Sequence, residues 1–319
     1  MRIVIALGGN ALLRRGEAPE IETQRRNVRI AVEAIAPIAR QHDVVITHGN
    51  GPQIGLLALQ AAAYRGVRPY PLDLLGAESE GMIGYLLNLA LANALEGRDI
   101  ATLLTQVEVD PADPAFSAPT KPIGQVYSDA EAQRLTAEMR WPMVRDGGGW
   151  RRAVPSPAPR RIREINAIKL LLQAGIIAVC AGGGGIPVAV ARSGEVRGVE
   201  AVVDKDLAAA LLAEAVAADF LLLLTDVSAV WTSWPMEAGA PIGRTTPAEL
   251  RRRDFAAGSM GPKVEAACRF VERTGQPAAI GAIDQAEPIL LGKAGTLIHA
   301  PDWKGQSPNS GIKPEGRGN

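Results

Sequence analysis

The feature that most constrains the fold is a set of short apolar runs, each of which stops at a turn. Longer segments with helical spacing of their apolar residues separate these runs. This alternation is typical of a mainly parallel sheet with helices on both faces, so we predict an α/β fold. The predicted strands are residues 3–7, 44–47, 100–109, 176–181 and 220–225.

Three of the intervening segments have clear helical features. An apolar stripe over residues 28–38 predicts one helix, which Pro37 should kink or end. A second is predicted over residues 78–95, with Gly97 as its stop. A third, alanine-rich segment at 206–217 follows a strand-like stretch at 201–203. The chain therefore contains several strand-to-helix junctions.

Two stretches interrupt the alternation. Residues 111–124 carry four prolines, and residues 141–163 combine a run of three glycines with six arginines. We interpret the region of about 111–163 as a small lid subdomain that protrudes from the sheet. The end of the chain, 301–319, is rich in glycine, proline and charge, which predicts a disordered tail.

Composition narrows the class of partner. Lys plus Arg and Asp plus Glu both number 34, so net charge gives no reason to expect nucleic acid or an anionic membrane as a partner. The two cysteines lie far apart, and the three histidines lack ligand spacing, so no dedicated metal site is expected.

The apolar stretch at 170–191 contains four consecutive glycines and a proline, which would break a spanning helix. We predict a cytoplasmic protein.

Glycine-rich turns follow three of the predicted strands. In a parallel α/β sheet, ligands bind beyond the carboxyl ends of the strands, where backbone N–H groups can face an anion. None of the turns matches the dinucleotide fingerprint or the P-loop. Either they are plain turn geometry or they form an anion site of another kind. The turns are Gly8-Gly9-Asn10, Gly49-Asn50-Gly51 and the four glycines of 182–185.

Three lysines stand out in a chain whose basic residues are mostly arginine. Lys121 lies in the proline-rich excursion, Lys205 lies at a predicted helix start, and Lys263 precedes another helix. Each is either a solvated surface charge or a counter-charge for a bound anion. The acidic neighbours of Lys205, which are Asp204 and Asp206, also fit a helix N-cap and first turn, and the two interpretations are compatible.

The segments that contain these glycine turns and lysines resemble those of the carbamate kinases of the amino-acid-kinase superfamily. The resemblance runs in order from about residue 1 to residue 298. PTKPIG, GWRRAVPSP and DKD are the segments most specific to carbamate kinases. The matching segments are ALGGNAL (6–12), HGNGPQIG (48–55), LTQVEVDPADPAF (104–116), PTKPIG (119–124), GWRRAVPSP (149–157), CAGGGGIPV (180–188), GVEAVVDKDLAA (198–209) and GSMGPKVEAA (258–267).

The resemblance implies an open three-layer αβα sandwich, the amino-acid-kinase fold, with a protruding lid. An N-terminal half, 1–198, would bind carbamate or carbamoyl phosphate, and a C-terminal half, 199–300, would bind nucleotide. The implied reaction is ATP + carbamate ⇌ ADP + carbamoyl phosphate with Mg²⁺, used for ATP formation in arginine catabolism. The resemblance also implies a homodimer.

The resemblance assigns roles to single residues. Gly8, Gly9, Asn10, Gly49, Asn50 and Gly51 would bind the carbamoyl phosphate. Lys121, Lys205 and Lys263 would contact the transferring phosphoryl group and the nucleotide phosphates, and Asp206 would orient these lysines. The nucleotide site would also include Thr225, Asp226, Val227, Trp231 and Met260.

Other functions remain open from the sequence. Another acyl-phosphate or nucleoside-monophosphate kinase of the superfamily would share the fold but need a different acceptor pocket. A non-catalytic nucleotide-binding module would bind nucleotide without turnover. RNA binding through the arginine cluster is disfavoured, because the net charge is zero and no aromatic residues alternate with the arginines.

Overall fold

In the computed structural model, the described residues are 1–14, 16–233, 239–255 and 260–303, without the side chains of residues 10 and 11. Residues 304–319, and with them most of the predicted tail, lie outside the described residues. The helices are α1 Gly9–Leu12, α2 Ile21–Gln41, α3 Gly51–Ala63, α4 Leu72–Ala94, α5 Asp129–Met139, α6 Ile165–Gln173, α7 Lys205–Ala215, α8 Pro247–Leu250, α9 Met260–Thr274 and α10 Ala286–Leu290. The strands are β1 Arg2–Leu7, β2 Asp43–His48, β3 Ile100–Thr102, β4 Gln106–Val109, β5 Lys121–Tyr127, β6 Met143–Asp146, β7 Gly149–Val154, β8 Pro159–Ile162, β9 Ile177–Val179, β10 Ile186–Val190, β11 Val196–Gly198, β12 Phe220–Thr225, β13 Arg244–Thr245, β14 Ala278–Ala282 and β15 Thr296–Ile298.

An eight-stranded sheet forms the centre of the molecule, in the order β13-β15-β14-β12-β1-β2-β9-β3. Every neighbouring pair in it is parallel except β14 and β15. The predicted mainly parallel α/β sheet is therefore confirmed. Because β1, β2 and β9 are adjacent and parallel, the turns that follow them lie at one edge of the sheet.

Helices cover both faces of this sheet, as an αβα sandwich requires. Alternate residues of β1 enter two separate cores, with Val4 on one side and Ile5 on the other, and both are fully buried. The first core contains buried residues of α6, α7 and α9, and the second contains those of α2, α4 and α10. Strands buried on both faces explain why the predicted strands read as continuous apolar runs.

Three sequence-based expectations need correction. The predicted strand at 100–109 is two strands, because residues 103–105 leave the main sheet and β4 joins a second sheet in the order β11-β10-β4-β8. Of the two effects expected of Pro37, a kink or an end of the helix, the end does not occur: α2 continues to Gln41, and only the last turn follows the proline. The stretch 201–203 is buried but forms no strand. Instead, the backbone N–H of Val202 donates to Pro155 O at 2.9 Å.

The lid region contains its own small sheet. Strands β5, β7 and β6 form an antiparallel three-stranded sheet, and α5 packs beside it. Its core, which includes Ile123 and Tyr127, continues into Ile54 and Ala58 of α3. The lid therefore rests on the helix that follows the second glycine turn.

No helix in the described ranges is both long and apolar enough to cross a membrane.

Candidate functional site

The three glycine turns follow adjacent strands of the main sheet. The first follows β1, the second follows β2, and the residues 182–184 after β9 form a short 3₁₀ turn. Hydrogen bonds tie the turns to the sheet: Gly8 N donates to Leu224 O and Gly49 N donates to Leu7 O, each at 2.9 Å. The three turns therefore lie together at the carboxyl ends of adjacent strands.

Gly49 is where the first two turns and a lysine come closest together. A Cβ at this position would lie 2.7 Å from Gly9 N and 3.3 Å from Lys205 Cδ. A side chain here would displace the neighbouring backbone, so only glycine fits. The Lys205 side chain therefore runs along the turns that were predicted to hold the substrate. Asn10 lies in α1, and its side chain is outside the described part of the chain.

Asp206 pairs with two of the three predicted lysines. Its Oδ1 lies 2.5 Å from Lys205 Nζ, and its Oδ2 lies 3.1 Å from Lys263 Nζ. The Asp206 side chain is only 4% exposed, and both lysine side chains are nearly as buried. Residues from α7 and α9 thus form one compact charged cluster beside the glycine turns.

Lys121 differs from the other two lysines. Its Nζ pairs with Asp204 Oδ2 at 2.7 Å, not with Asp206 as the resemblance had implied. Asp204 also caps α7, because its Oδ1 accepts from Asp206 N at 2.9 Å and from Leu207 N at 3.3 Å. The expectation of an N-cap is confirmed, and the same carboxylate connects the lid to the helix that carries Lys205.

Burial and neighbouring charges shift the pKa values of the lysines and aspartates in opposite directions. Burial lowers the pKa of Lys205, and Asp206 offsets only part of this effect. For Lys263, burial also acts to lower the pKa, but Asp206 raises it overall. For Asp204 and Asp206, burial favours the neutral acids, yet Lys121 holds the pKa of Asp204 below its usual range and Lys205 does the same for Asp206. The carboxylates are therefore ionised at neutral pH.

His48 lies next to the cluster but is poorly suited to proton transfer. Its side chain is fully buried at the end of β2, and its Nδ1 lies 3.2 Å from Gly49 O. Burial lowers the pKa of His48 to about 4. The imidazole is therefore neutral at physiological pH and contributes no positive charge.

The residues predicted to line the nucleotide site end or follow β12, or begin α9. Thr225 ends β12, and its hydroxyl donates to Asp226 Oδ1 at 3.0 Å. Burial acts to lower the pKa of Lys263, and the charge of Asp226 is one of three, after those of Asp206 and Asp204, that act to raise it. Val227 is half-buried, Trp231 forms an isolated bridge with Pro241, and Met260 begins α9.

Within the described residues, the ligands available to a metal ion are single carboxylates and not a cluster of side chains. No group of three or more His, Cys, Asp or Glu side chains among them could hold a metal. Both carboxylate oxygens of Asp206 face lysines. This donor set fits an ion held mainly by phosphate oxygens, as Mg²⁺ commonly is with nucleotides.

Several site residues escaped the sequence analysis. Ser79 and Glu80 of α4 are buried and bond to Asn50 and to the third glycine turn. Arg151, from the GWRR segment, donates to Gly124 O at 2.9 Å, and its Nη2 lies 3.9 Å from where a Cβ on Gly51 would stand. Of these residues, only Arg151 lies in a segment that the sequence analysis had singled out. That analysis placed the GWRR segment in the lid and gave Arg151 no role of its own.

The assembled site can bind and transfer a small anion. Backbone N–H groups, three ammonium groups and a helix N-terminus surround the same edge of the sheet. No neutral or acidic group in the described cluster is placed to act as a proton acceptor, because Asp204 and Asp206 are committed to lysines. The geometry favours a reaction whose main barrier is the repulsion between negatively charged groups.

Comparisons with known proteins agree with this geometry. The Amino acid kinase family profile matches residues 1–282. The chain is 54% identical over 301 residues to the carbamate kinase of Rhizobium meliloti, covering 93% of each chain. It is 54% identical over 299 residues to that of Haemophilus influenzae, covering 93% of this chain and 96% of the relative. The solved structure of the carbamate kinase from Giardia lamblia bound to citric acid superposes with a TM-score of 0.89 at 41% identity, covering 93% and 98%.

Proposed function

Because the chain belongs to the amino acid kinase family and, within it, to the carbamate kinases, we propose that it transfers a phosphoryl group reversibly between ATP and carbamate. Carbamate forms from ammonia and CO₂, and the products are ADP and carbamoyl phosphate. The observation that carries the proposal is the cluster of Lys205, Lys263 and Asp206 beside three converging glycine turns.

The chemical difficulty of this reaction is electrostatic. An anionic carbamate oxygen must approach an anionic γ-phosphate, and no proton has to be removed. Fixed positive charge and backbone N–H dipoles lower the energy of such a transition state. A site with neutral His48 and three ammonium groups suits this requirement.

We assign the two ends of the reaction to two groups of residues. The backbone of Gly8, Gly9, Asn10, Gly49 and Gly51 and the side chain of Asn50 would bind the carbamoyl end. Thr225, Asp226, Val227, Trp231 and Met260 would surround the nucleotide. Lys205 would contact the phosphoryl group between them, since its side chain lies against Gly49. Residues 1–198 and 199–300 would thus act as acceptor and nucleotide halves.

Asp206 would hold Lys205 and Lys263 in place for the transfer. Both lysines are pulled toward its carboxylate, which fixes their direction before substrate arrives. Mg²⁺ would enter with the nucleotide and neutralise charge on its phosphates. Asp226 is the carboxylate we expect to contact this ion, because it directly follows Thr225 at the end of β12, among the residues expected to surround the nucleotide.

The lid would exclude water and supply the third ammonium group. Lys121 begins β5, and the lid core rests on α3 just beyond the second glycine turn. When substrate is bound, Lys121 would leave Asp204 for the phosphoryl group. Exclusion of water matters because carbamate and carbamoyl phosphate both decompose in it.

We also propose that two copies associate through one face of α4. Leu74, Tyr85 and Leu89 lie on the same side of this helix and are 46–60% exposed. Leu104 extends the same face, since it lies 3.8 Å from where a Cβ on Gly81 would stand. Such an apolar patch fits a homodimer. Tyr85→Asp with Leu89→Asp should halve the mass measured by light scattering, whereas an unchanged mass would place the contact elsewhere.

In the cell we propose a cytoplasmic enzyme that forms ATP from carbamoyl phosphate during arginine breakdown. The direct test is ATP formation by the purified protein from ADP, Mg²⁺ and carbamoyl phosphate, with acetyl phosphate as a parallel donor. The Lys205→Ala protein is the blank. We expect rapid ATP formation from carbamoyl phosphate that disappears in the blank. Binding of ADP without any ATP formation would favour the non-catalytic alternative, and preference for acetyl phosphate would favour another acyl-phosphate kinase.

A further inference from the structure

Two adjacent residues of α4 contact two of the glycine turns and have no part in the proposed chemistry. Ser79 is fully buried, and its Oγ accepts from Asn50 Nδ2 and donates to Gly76 O, each at 2.8 Å. Glu80 is 1% exposed, and its carboxyl oxygens accept from Gly182 N at 2.8 Å and from Thr105 N at 3.1 Å. One helix turn therefore contacts the turns after β2 and after β9.

The two contacted turns also touch each other. A Cβ on Gly183 would lie 2.1 Å from Asn50 Nδ2, so the Asn50 amide group lies flat against the backbone of the third turn. Ser79 fixes the other side of the same amide group. Asn50 is thus held between α4 and the third turn, and it is only 4% exposed.

Ala181, the residue directly before the third turn, has a strained backbone conformation. Ala181 has φ +51°, a left-handed conformation that costs a non-glycine residue about 1–2 kcal/mol. Hydrogen bonds surround it: Thr47 Oγ1 donates to Ala181 O at 2.8 Å, and Ala181 N donates to Thr105 Oγ1 at 3.0 Å. Glu80 accepts the next N–H along the chain and also binds the backbone of Thr105. The Glu80 carboxyl group therefore connects the strained turn to the backbone of Thr105.

From these contacts we propose that Ser79 and Glu80 are positioning residues that fix Asn50 and the third glycine turn relative to each other. Neither residue touches the reacting groups. Ser79 acts through Asn50, and Glu80 acts through the left-handed turn at Ala181 against which Asn50 packs. The kinetic consequences rest on the proposed carbamate kinase function, whereas the structural consequences do not.

The variants Ser79→Ala and Glu80→Gln test the proposal. Alanine leaves the Asn50 amide without its acceptor, and glutamine presents an NH₂ group to one of the two backbone N–H donors. Asn88→Ala is the matched control. It removes a contact of the same helix, Asn88 Nδ2 to Ile100 O at 3.2 Å, but leaves Ser79 and Glu80 unchanged. Ala181→Gly combined with Glu80→Gln tests whether Glu80 acts through the strained turn.

The first readout is amide hydrogen exchange, which needs no turnover. We expect peptides covering 46–54 and 180–186 to exchange about tenfold faster in both test variants, because each loses about one buried hydrogen bond, and to be unchanged in Asn88→Ala. Ala181→Gly should restore part of the protection lost in Glu80→Gln. Unchanged exchange at both peptides in Glu80→Gln would overturn the proposal.

The second readout separates positioning from general stability. Ser79→Ala should raise the KM for carbamoyl phosphate about tenfold while the KM for ADP stays unchanged. Faster exchange with unchanged kinetics would make the two residues merely structural and would also overturn the proposal. If the wild-type protein shows no turnover, the proposed function fails, and hydrogen exchange still decides whether Ser79 and Glu80 hold the turns.

Discussion

The body of the molecule and the lid both bring ammonium groups to the same place, but they hold them differently. In the body, Lys205 and Lys263 share Asp206, whose side chain is 4% exposed. In the lid, Lys121 is 23% exposed and pairs with Asp204, which belongs to the body. The body charges are fixed by burial and by a shared carboxylate, while the lid charge is held by one ion pair between the lid and the body. From this difference we expect a preorganised body and a lid that can move its charge.

The largest expected effect is on the free energy of unfolding and comes from removing the charge of Asp206, which Lys205 and Lys263 share. Asp206→Asn would leave two largely buried ammonium groups without their common partner, which should destabilise the fold by about 3–5 kcal/mol. Urea unfolding would measure this loss. Asp204→Asn is the matched control, and an equal loss in both variants would remove the distinction between body and lid.

The next effect concerns turnover. Lys205→Ala and Lys121→Ala should each lower kcat about 10²- to 10³-fold, or about 3–4 kcal/mol, because each removes a positive charge from the transition state. Circular dichroism should show an intact fold in both variants. Steady-state ATP formation checks the prediction, and near-normal kcat in either variant would contradict the role assigned to that lysine.

A smaller effect is expected at the contact between lid and body. Asp204→Asn keeps an oxygen that can cap α7 but removes the charge that attracts Lys121. Stability should fall by only about 1 kcal/mol, because the pair is partly exposed. Limited proteolysis should cut the lid, residues 121–163, faster than in the wild type. Equal cleavage rates would show that this ion pair does not hold the lid.

The last effect, which develops over several pH units, is a pH dependence of stability from Glu80. Burial raises the pKa of Glu80 to about 8, so the folded state keeps a proton that the unfolded chain has already released. The contribution of Glu80 to the free energy of unfolding should therefore fall as pH rises from about 5 to 8, by at most about 1.4 kcal/mol per pH unit, and this fall should be visible in the total above about pH 6.5. Glu80→Gln should flatten this slope.

Neighbouring groups do not obscure this dependence above about pH 6.5. His48, whose pKa is lowered to about 4 by burial, gives a slope of opposite sign that ends near its ordinary pKa. Burial raises the pKa of the Cys180 thiol, which stays protonated in this range, and Glu164 adds a further negative charge near Glu80. A slope that is identical in wild type and Glu80→Gln would contradict the assignment.

The sequence predicted those parts of the site that depend on local signals. Glycine turns after apolar runs and lysines beside helix starts are recognisable within a few residues, and the structure places Lys205 against Gly49. The split of the segment 100–109 could not be predicted, because both β3 and β4 have strand propensity and only their partners differ. Helix α2 likewise passes Pro37 because its buried face outweighs one lost hydrogen bond.

The residues that hold the site in position could not be recognised from the sequence around them. Ser79 and Glu80 read as ordinary polar positions on a helix, and they become part of the site only through partners such as Gly182, which is 102 residues away. Lys121 and Asp204 are 83 residues apart, so their pairing follows from how the lid packs and not from either segment alone. Such contacts depend on the tertiary structure.

Hydrogen exchange of the wild-type protein would test the central claim of a fixed body and a movable lid most directly. It should be measured with and without a non-hydrolysable ATP analogue plus carbamate, so that no turnover occurs. We expect ligands to slow exchange several-fold in peptides from the lid strands 121–127 and 149–154, while peptides covering the start of α7 change little. Equal changes in both regions, or no change in the lid, would contradict the account.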